Sequence, residues 1–123
     1  MKVVNTNAAP AAIGPYSQAM ISGNLVFCSG QIPLSPESGQ VVGSSVSEQT
    51  EQVCKNLKGV LEAAGSSLEK VLKTNCFLSD MGDFAAFNEV YEKHFTGKPA
   101  RSTFAVKGLP RAVLVEIEAV AEI

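Results

Sequence analysis

The sequence predicts an α+β domain in which a mixed β-sheet carries two helices on one face. Its 123 residues, 46% of them hydrophobic, suit a single domain spanning 1–123 with a modest core. Segments typical of strands and helices follow one another in the order strands, helix, strand, helix, two strands. A strand–helix–strand step favours a right-handed crossover, so both helices are expected on the same side of the sheet.

The N-terminal third is predicted to contain three strands. A short strand lies within Met1–Asn5, and an ordered loop follows over Ala8–Pro15, where proline and glycine interrupt regular structure. Ala19–Ser22 and Leu25–Ile32 are predicted as strands that meet at Gly23-Asn24, a dipeptide typical of hairpin turns. A further loop leads to the first helix.

The first helix is predicted over Ser45–Ala64, with signals at both ends. Ser45 and Glu48 have the spacing of a capping box, and Gly65 is a stop signal. Apolar residues recur at helical spacing and predict one buried stripe, made of Val46, Val53, Leu57, Val60, Leu61 and Ala64.

A strand, a second helix and two further strands complete the predicted order. Val71–Leu78 is predicted as a strand, and Asp83 is expected to cap a helix that extends through Phe95 and stops at Gly97. The last two strands are predicted at about 101–106 and 113–121. The second helix is expected to turn four aromatic residues inward: Phe84, Phe87, Tyr91 and Phe95.

Charged residues in the last two strands are the strongest functional signal. Charge inside a sheet is costly unless it is paired, hydrated or used in chemistry. Strand alternation assigns the more apolar rows to the helices: Val113, Val115, Ile117 and Ala119 on the last strand, and Ser102, Phe104 and Val106 on its predecessor. The opposite rows, with Arg101, Thr103, Glu116 and Glu118, are then expected on the uncovered face.

That uncovered face is expected to meet another copy of the chain. Besides the charged residues it carries Leu114, Val120 and Ala105, so it is half apolar. An exposed surface of this kind is typical of a protein interface. We therefore expect a homo-oligomer with charged groups at the subunit seam.

Composition argues against several kinds of partner. The formal net charge is −2 and the ten Lys and Arg are scattered, which disfavours nucleic acid as the main ligand. Cys28, Cys54 and Cys76 form no CxxC pair and there is one histidine, so buried reduced thiols are expected rather than a metal site. Neither a signal peptide nor a membrane-length apolar run is recognisable, which predicts a cytoplasmic protein without a membrane partner.

Arg101 and Glu116 are the main candidates for chemistry, and each has a structural alternative. A guanidinium at a strand mouth can bind a carboxylate with two parallel hydrogen bonds, or it can form an ion pair with Glu116 or Glu118. Glu116 is a candidate general acid/base or water-positioning group, its pKa raised by partial burial, or a partner in an interface salt bridge.

Four other residues carry weaker signals. Tyr16, after the rigid Gly14-Pro15 pair, can close a pocket or simply pack, and Gly30 within a strand marks either a close approach or a β-bulge. Asn88 lies mid-helix, where a solvated turn is the structural alternative. His94 fits a helix-dipole or surface role, and with no second histidine a two-histidine ribonuclease mechanism is excluded.

Six motifs occur in order along the whole chain: Ala12-Ile13-Gly14-Pro15-Tyr16-Ser17-Gln18, Ser29-Gly30-Gln31-Ile32-Pro33, Glu62-Ala63-Ala64-Gly65, the helix with Asp83-Phe84, Asn88 and Tyr91, Pro99-Ala100-Arg101-Ser102, and Val115-Glu116-Ile117-Glu118-Ala119. Together they resemble the reactive intermediate deaminase family (RidA, also called YjgF, once described as L-PSP endoribonuclease). Any one of them is weak, whereas six at matching spacing are specific.

The resemblance implies a chorismate-mutase-like fold in a homotrimer with clefts between subunits, and a last strand inside the sheet. It implies hydrolysis of 2-imino and enamine acids, such as 2-aminoacrylate, to 2-keto acids and ammonia without a cofactor. By position, Arg101 would hold the substrate carboxylate and Glu116 would orient water and transfer protons. The cleft would be lined by Tyr16, Ser29, Gly30, Asn88 and Thr103, the last standing where many relatives have cysteine.

Two other functions remain open at this stage. One is a non-enzymatic trimer that binds a small carboxylate or acts as a chaperone. The other is an endoribonuclease, which the single histidine and the lack of a basic groove disfavour. We expect Glu118 to be structural.

Overall fold

A computed structural model describes all residues from 1 to 123 and confirms the α+β class. Its elements follow the predicted order: β1 (Lys2–Val4), β2 (Ala19–Ser22), β3 (Leu25–Gln31), α1 (Val46–Ala63), β4 (Val71–Leu78), α2 (Phe84–His94), β5 (Ala100–Ala105) and β6 (Val115–Glu122). Neither helix has the length and apolar character needed to cross a membrane.

The six strands form one mixed sheet in the order β1-β2-β3-β6-β4-β5. The β4–β5 pair, joined through α2, is parallel, and every other pair is antiparallel. β6 therefore lies between β3 and β4 rather than forming a hairpin with β5. This confirms the central last strand that the family resemblance implies.

The ends of α1 match their sequence signals. The Ser45 side chain accepts a hydrogen bond from the Glu48 N–H at 3.2 Å, and the Glu48 carboxylate accepts one from the Ser45 N–H at 3.2 Å. At the other end Gly65 has a φ of +85°, a left-handed conformation that glycine adopts without strain. The N–H groups of Gly65 and Ser66 bond to Glu62 and Leu61, which closes the helix with a Schellman motif.

The ends of α2 differ from the prediction. Asp83 occupies the N-cap position but its side chain makes no capping bond, because its backbone is helical (φ −87°, ψ 0°) where a capping side chain needs an extended one. The turn before it is capped by Asp80, whose carboxylate accepts from the Gly82 N–H at 2.7 Å. Gly97 is not the helix stop, since α2 ends at His94. A Cβ at Gly97 would lie 3.0 Å from the carbonyl oxygen of Glu69, so close packing explains this glycine.

Both helices pack against one core of 21 buried residues that includes side chains from all layers of the fold. Along β6 the burial alternates: Val115, Ile117, Ala119 and Ala121 are buried, whereas Glu116, Glu118 and Val120 are partly exposed. The prediction for β6 is confirmed. The three cysteines are free and buried as expected, and burial raises the pKa of Cys28 to about 12 and that of Cys76 to about 11.

The prediction for the faces of β5 was wrong. In the parallel register Thr74 lies beside Arg101 and Cys76 beside Thr103, and both β4 residues are buried under the helices. Arg101 and Thr103 therefore face the helices, because neighbours in register share a face. Phe104 instead faces away from the helices.

The faces of β5 were wrongly assigned because each of its two rows contains both polar and apolar residues. Phe104 packs edge-to-face on Phe77 of β4, with ring centroids 5.3 Å apart, on the same face as Glu116. Arg101 is long enough to extend its apolar stem beneath α2 while its guanidinium stays at the edge. Neither row of this edge strand is wholly apolar, so alternation could not assign its faces.

Candidate active site in two halves

Glu116 lies in a cavity of about 460 Å³ on the face of the sheet away from the helices. The cavity brings together residues from β3, β6, the N-terminal loop and the turn before β6: Tyr16, Ser29, Gly30, Ile32, Pro110, Glu116 and Glu118. Four residues that the sequence analysis assigned to the site, namely Tyr16, Ser29, Gly30 and Glu116, are thus together. We call this cavity the acidic half-site.

Gly30 lets the Glu116 carboxylate lie directly against the β3 backbone. The β3–β6 register shifts between Cys28 and Gln31, so two β3 residues stand opposite one residue of β6. A Cβ built on Gly30 would overlap the Glu116 carboxylate. The bulge that was one alternative for Gly30 is therefore confirmed, and it creates the space that the Glu116 carboxylate occupies.

The environment of Glu116 raises its pKa above the ordinary value for glutamate. Burial of the carboxylate is the main cause and the negative charge of Glu118 is the second. No lysine or arginine nitrogen lies within ion-pair distance of the Glu116 carboxylate. Glu118 is better compensated, because its carboxylate accepts a hydrogen bond from Asn75 Nδ2 at 3.1 Å.

Tyr16 borders the acidic half-site from an irregular loop. Its side chain is 53% exposed, so packing does not bury the ring. The loop is attached to β3 by Ser29, whose hydroxyl donates to the Ser17 carbonyl oxygen at 2.6 Å and whose N–H donates to the Gln18 carbonyl oxygen at 2.9 Å. The hydroxyl proton of Ser29 is thus engaged within the protein.

Arg101 lies in a separate cavity of about 400 Å³ on the helix side of the sheet. Its Nη1 donates to Asn88 Oδ1 at 2.7 Å, so the Asn88 side chain contacts Arg101 rather than belonging to a solvated turn. The guanidinium carbon lies 4.7 Å from the ring centroid of Tyr91 and 5.5 Å from that of Phe84. These contacts fix the cation without an acidic partner, and we call this cavity the basic half-site.

Tyr91 supports the basic half-site, a role that the sequence analysis missed. Its hydroxyl shares a hydrogen bond of 2.7 Å with Thr74 Oγ1, and its ring stacks on Phe95 with centroids 4.3 Å apart. Burial raises the pKa of Tyr91 to about 12, so the phenol stays neutral beneath the guanidinium. The sequence did carry a signal for this role, because Tyr91 follows Asn88 by three residues, a spacing that places both on one helix face.

The two half-sites lie on opposite faces of the same sheet and have no lining residue in common. Arg101 is therefore not paired with Glu116 or Glu118 within the chain, which excludes the intrachain ion pair considered above. Thr103 lines neither cavity, and its Oγ1 is buried without a hydrogen-bond partner. One half can hold an anion, and the other offers a carboxyl group suited to proton transfer.

A third cavity, of about 430 Å³, lies between α1 and the end of α2 and contains neither Arg101 nor Glu116. His94 lies here, and its Nε2 is 2.8 Å from Glu51 Oε2, so this histidine links the two helices. No group of three or more His, Cys, Asp or Glu side chains is arranged to hold a metal ion.

Comparison with known proteins gives consistent relatives over the whole chain. The family model described as "Endoribonuclease L-PSP" matches residues 6–123. A Lactococcus lactis protein named as a proposed regulator, AldR, is 51% identical over all of this chain and 98% of its own length. The mouse 2-iminobutanoate/2-iminopropanoate deaminase is 49% identical over 98% of this chain and 90% of its own. The crystal structure of Escherichia coli TdcF with bound serine superposes with a TM-score of 0.95 at 40% identity, covering 100% of this chain and 99% of TdcF.

Proposed function

Because the chain belongs to the reactive intermediate deaminase (RidA/YjgF, or L-PSP) family, we propose that it hydrolyses reactive 2-imino and enamine acids to 2-keto acids and ammonia. The single observation that carries the proposal is the state of Arg101. Its guanidinium is held by one amide and by aromatic rings but has no acidic partner in the chain. A cation so placed is suited to an anionic ligand.

We propose further that the working site forms between subunits of a homotrimer. Arg101 and Glu116 lie on opposite faces of one chain, so a small substrate reaches both only when two copies meet. The face that carries Glu116 also exposes Phe27 and Phe104, each 46% exposed, and a second copy would cover this apolar surface. The basic half-site of one subunit would then face the acidic half-site of its neighbour.

In this arrangement Arg101 holds the substrate carboxylate and so orients the imine carbon. Nη1 is engaged by Asn88, which leaves the remaining N–H groups for the substrate oxygens. Thr103, which the resemblance assigns to the cleft, has its Oγ1 buried outside both half-sites, so we assign it no contact with the substrate. The serine bound to TdcF supports this class of ligand, because an amino acid carries the same carboxylate next to a nitrogen-bearing carbon.

Glu116 supplies the proton transfers on the other side of the substrate. Its ionised carboxyl group takes a proton from water as the water oxygen bonds to the imine carbon, and it passes that proton to the imine nitrogen, giving a neutral tetrahedral carbinolamine. The same carboxylate then takes the hydroxyl proton and delivers it to nitrogen as the carbon–nitrogen bond breaks, so ammonia leaves and the oxygen becomes the keto oxygen. Imino acid and water are converted to keto acid and ammonia, and Tyr16, Ser29 and Gly30 line the space where this occurs.

An assay with imino acid generated in situ tests the proposal. An amino acid oxidase supplies the imine, and ammonia and keto acid are measured as it disappears. The wild-type protein is expected to accelerate hydrolysis, and Arg101→Ala to lower kcat/KM by at least about 100-fold through loss of the anionic contact. Arg111→Ala, which removes the chain's only other arginine, is the control and should stay within about threefold of wild type.

The outcomes separate the proposed function from its alternatives. Unchanged turnover in Arg101→Ala would remove Arg101 from the site. Binding of a keto acid without turnover would favour a sensing protein, the function that the name of the AldR relative suggests. Cleavage of RNA by the purified protein, lost in a site variant, would favour the activity after which the family model is described.

A further inference from the structure

A buried glutamine organises the irregular loop that carries Tyr16. Gln18 is 2% exposed, and its side chain bonds to four backbone groups of that loop. Its Oε1 accepts from the Thr6 N–H at 2.8 Å, and its Nε2 donates to the carbonyl oxygens of Thr6 at 3.0 Å, Ala9 at 3.3 Å and Pro10 at 2.8 Å. The amide therefore replaces the backbone partners that this loop, lying outside the sheet, would otherwise lack.

The main chain of Gln18 connects the same loop to the acidic half-site. Its carbonyl oxygen accepts from the Ser29 N–H at 2.9 Å, next to Gly30 and the Glu116 carboxylate. Tyr16 stands two residues away with its ring half exposed, so side-chain packing alone does not fix its position. A single residue thus joins the loop, through its side chain, to β3, through its main chain.

The opposite side of the loop is fitted to α1 by another close contact. A Cβ at Gly59 would meet the Ala8 carbonyl oxygen, so the loop backbone rests directly on the helix. This contact fixes the start of the loop but lies eight residues before Tyr16. The hydrogen bonds of Gln18 to Ala9 and Pro10 extend the fixed part towards the tyrosine.

We propose that Gln18 is a positioning residue for the reaction, acting through Tyr16. It holds the tyrosine at the edge of the acidic half-site and touches no reacting atom itself. The inference rests on the proposed function insofar as Tyr16 contributes to turnover. A displacement of about 1 Å at such a site is enough to lower a rate by roughly 100-fold.

A double-mutant cycle distinguishes positioning from plain stabilisation. Gln18→Met keeps the size of the side chain but removes its four hydrogen bonds, and we expect it to lower kcat/KM by about 10- to 100-fold. In a Tyr16→Ala background the same change is expected to cost less than about threefold, because the residue it positions is gone. Equal losses in both backgrounds would overturn the proposal.

Gln49→Met is the matched control. Gln49 is another buried glutamine, 5% exposed, whose side chain donates to the Gly43 carbonyl oxygen at 3.1 Å and accepts from the Leu114 N–H at 2.8 Å. Its loss is expected to lower stability, as the loss of Gln18 does, but to have the same effect on kcat/KM with and without Tyr16. If Gln18→Met does not fold, Gln18→Asn, which keeps the amide on a shorter stem, replaces it in the cycle.

Hydrogen exchange measured on the same variants does not depend on turnover. Gln18→Met is expected to accelerate exchange of backbone amides between residues 6 and 17, whereas Gln49→Met should leave them unchanged. Unchanged exchange in Gln18→Met would overturn the proposal. If the wild-type protein shows no deaminase activity, the proposed function fails, and the exchange rates still decide whether Gln18 holds the Tyr16 loop.

Discussion

The basic and acidic half-sites hold groups of opposite charge, and different elements of the fold position each group. Arg101 is fixed by neutral groups of α2, an amide oxygen and aromatic faces, which hold a cation without neutralising it. Glu116 is fixed on β6 by a bulge and a glycine, in surroundings that disfavour its negative charge. The sheet separates the two groups, so Arg101 and Glu116 do not neutralise each other within one chain. Each charge therefore stays available to a ligand.

Glu116→Gln breaks the acidic half and has the largest expected effect in this comparison. Removing the proton-transfer group is expected to lower kcat/KM by about 10²- to 10⁴-fold. Glu118→Gln is the control, because its carboxylate is bonded to Asn75 and a glutamine oxygen can still accept that bond. Comparable losses in both variants, measured by ammonia release, would show that Glu116 has no special role.

Thermal unfolding of the Glu116→Gln variant separates chemistry from folding. Burial raises the pKa of Glu116, so the folded state binds its proton more tightly than the unfolded chain does. Ionisation of Glu116 therefore lowers stability as the pH rises past the ordinary glutamate value. The difference in Tm, variant minus wild type, is therefore expected to be more positive at pH 7 than at pH 4. A substitution that merely damaged the fold would not produce this pH dependence.

Mixing two inactive variants tests whether the halves meet between subunits. Arg101→Ala and Glu116→Gln chains, co-expressed in equal amounts with different tags, would assemble at random. Each intact partner is present with a probability of about one half, so about one quarter of the clefts regain both groups. We expect the mixed oligomers to have about one quarter of the wild-type activity. Activity no higher than that of either variant alone would argue for a site within one chain.

Gly30→Ala tests whether the bulge in β3 fixes the position of the Glu116 carboxylate. The added methyl group would overlap the Glu116 carboxylate, and kcat/KM is expected to fall by about 10- to 100-fold as the carboxylate shifts. Gly108→Ala is the matched control, since a Cβ there meets nothing within 4 Å and the backbone φ is not positive. Full activity of Gly30→Ala in steady-state assays would mean that the position of Glu116 is not critical.

The smallest expected effect is a change in pH dependence. Glu116 must be ionised to accept a proton from water, so kcat/KM should fall as the pH is lowered through its raised pKa. Glu118→Gln removes a like charge and is expected to move this acid limb to lower pH by less than about one unit. Glu122→Gln, on the same strand, should leave the limb in place, and a shift to higher pH in Glu118→Gln would contradict the assignment.

The sequence predicted the elements well because their signals are local. The capping box of Ser45 and Glu48, the apolar stripe of α1 and the alternation along β6 each depend on neighbouring residues. Motif and strand position also led to four residues that the structure brings together around one cavity, although their roles stay predictions. The central position of β6 came from the family resemblance and not from the pattern.

The wrong prediction for the faces of β5 shows what a local sequence pattern cannot determine. Whether Arg101 or Phe104 faces the helices is decided by the parallel register with β4, which depends on the whole crossover through α2. The hydrogen bonds of Gln18 were also beyond sequence reasoning, because they join a glutamine to backbone groups 8 to 12 positions away in a loop without periodicity.

The central position of β6 has a consequence for how the protein folds. In the hydrogen-bonded sheet, β1–β3 and β4–β5 are two separate ribbons, and β6 alone joins them. Its pairing with β3 brings together residues from opposite ends of the chain, a contact of high sequence separation that forms slowly. The ribbons can assemble early, but the sheet becomes one cooperative unit only when β6 enters, so the strand that carries Glu116 also completes the fold.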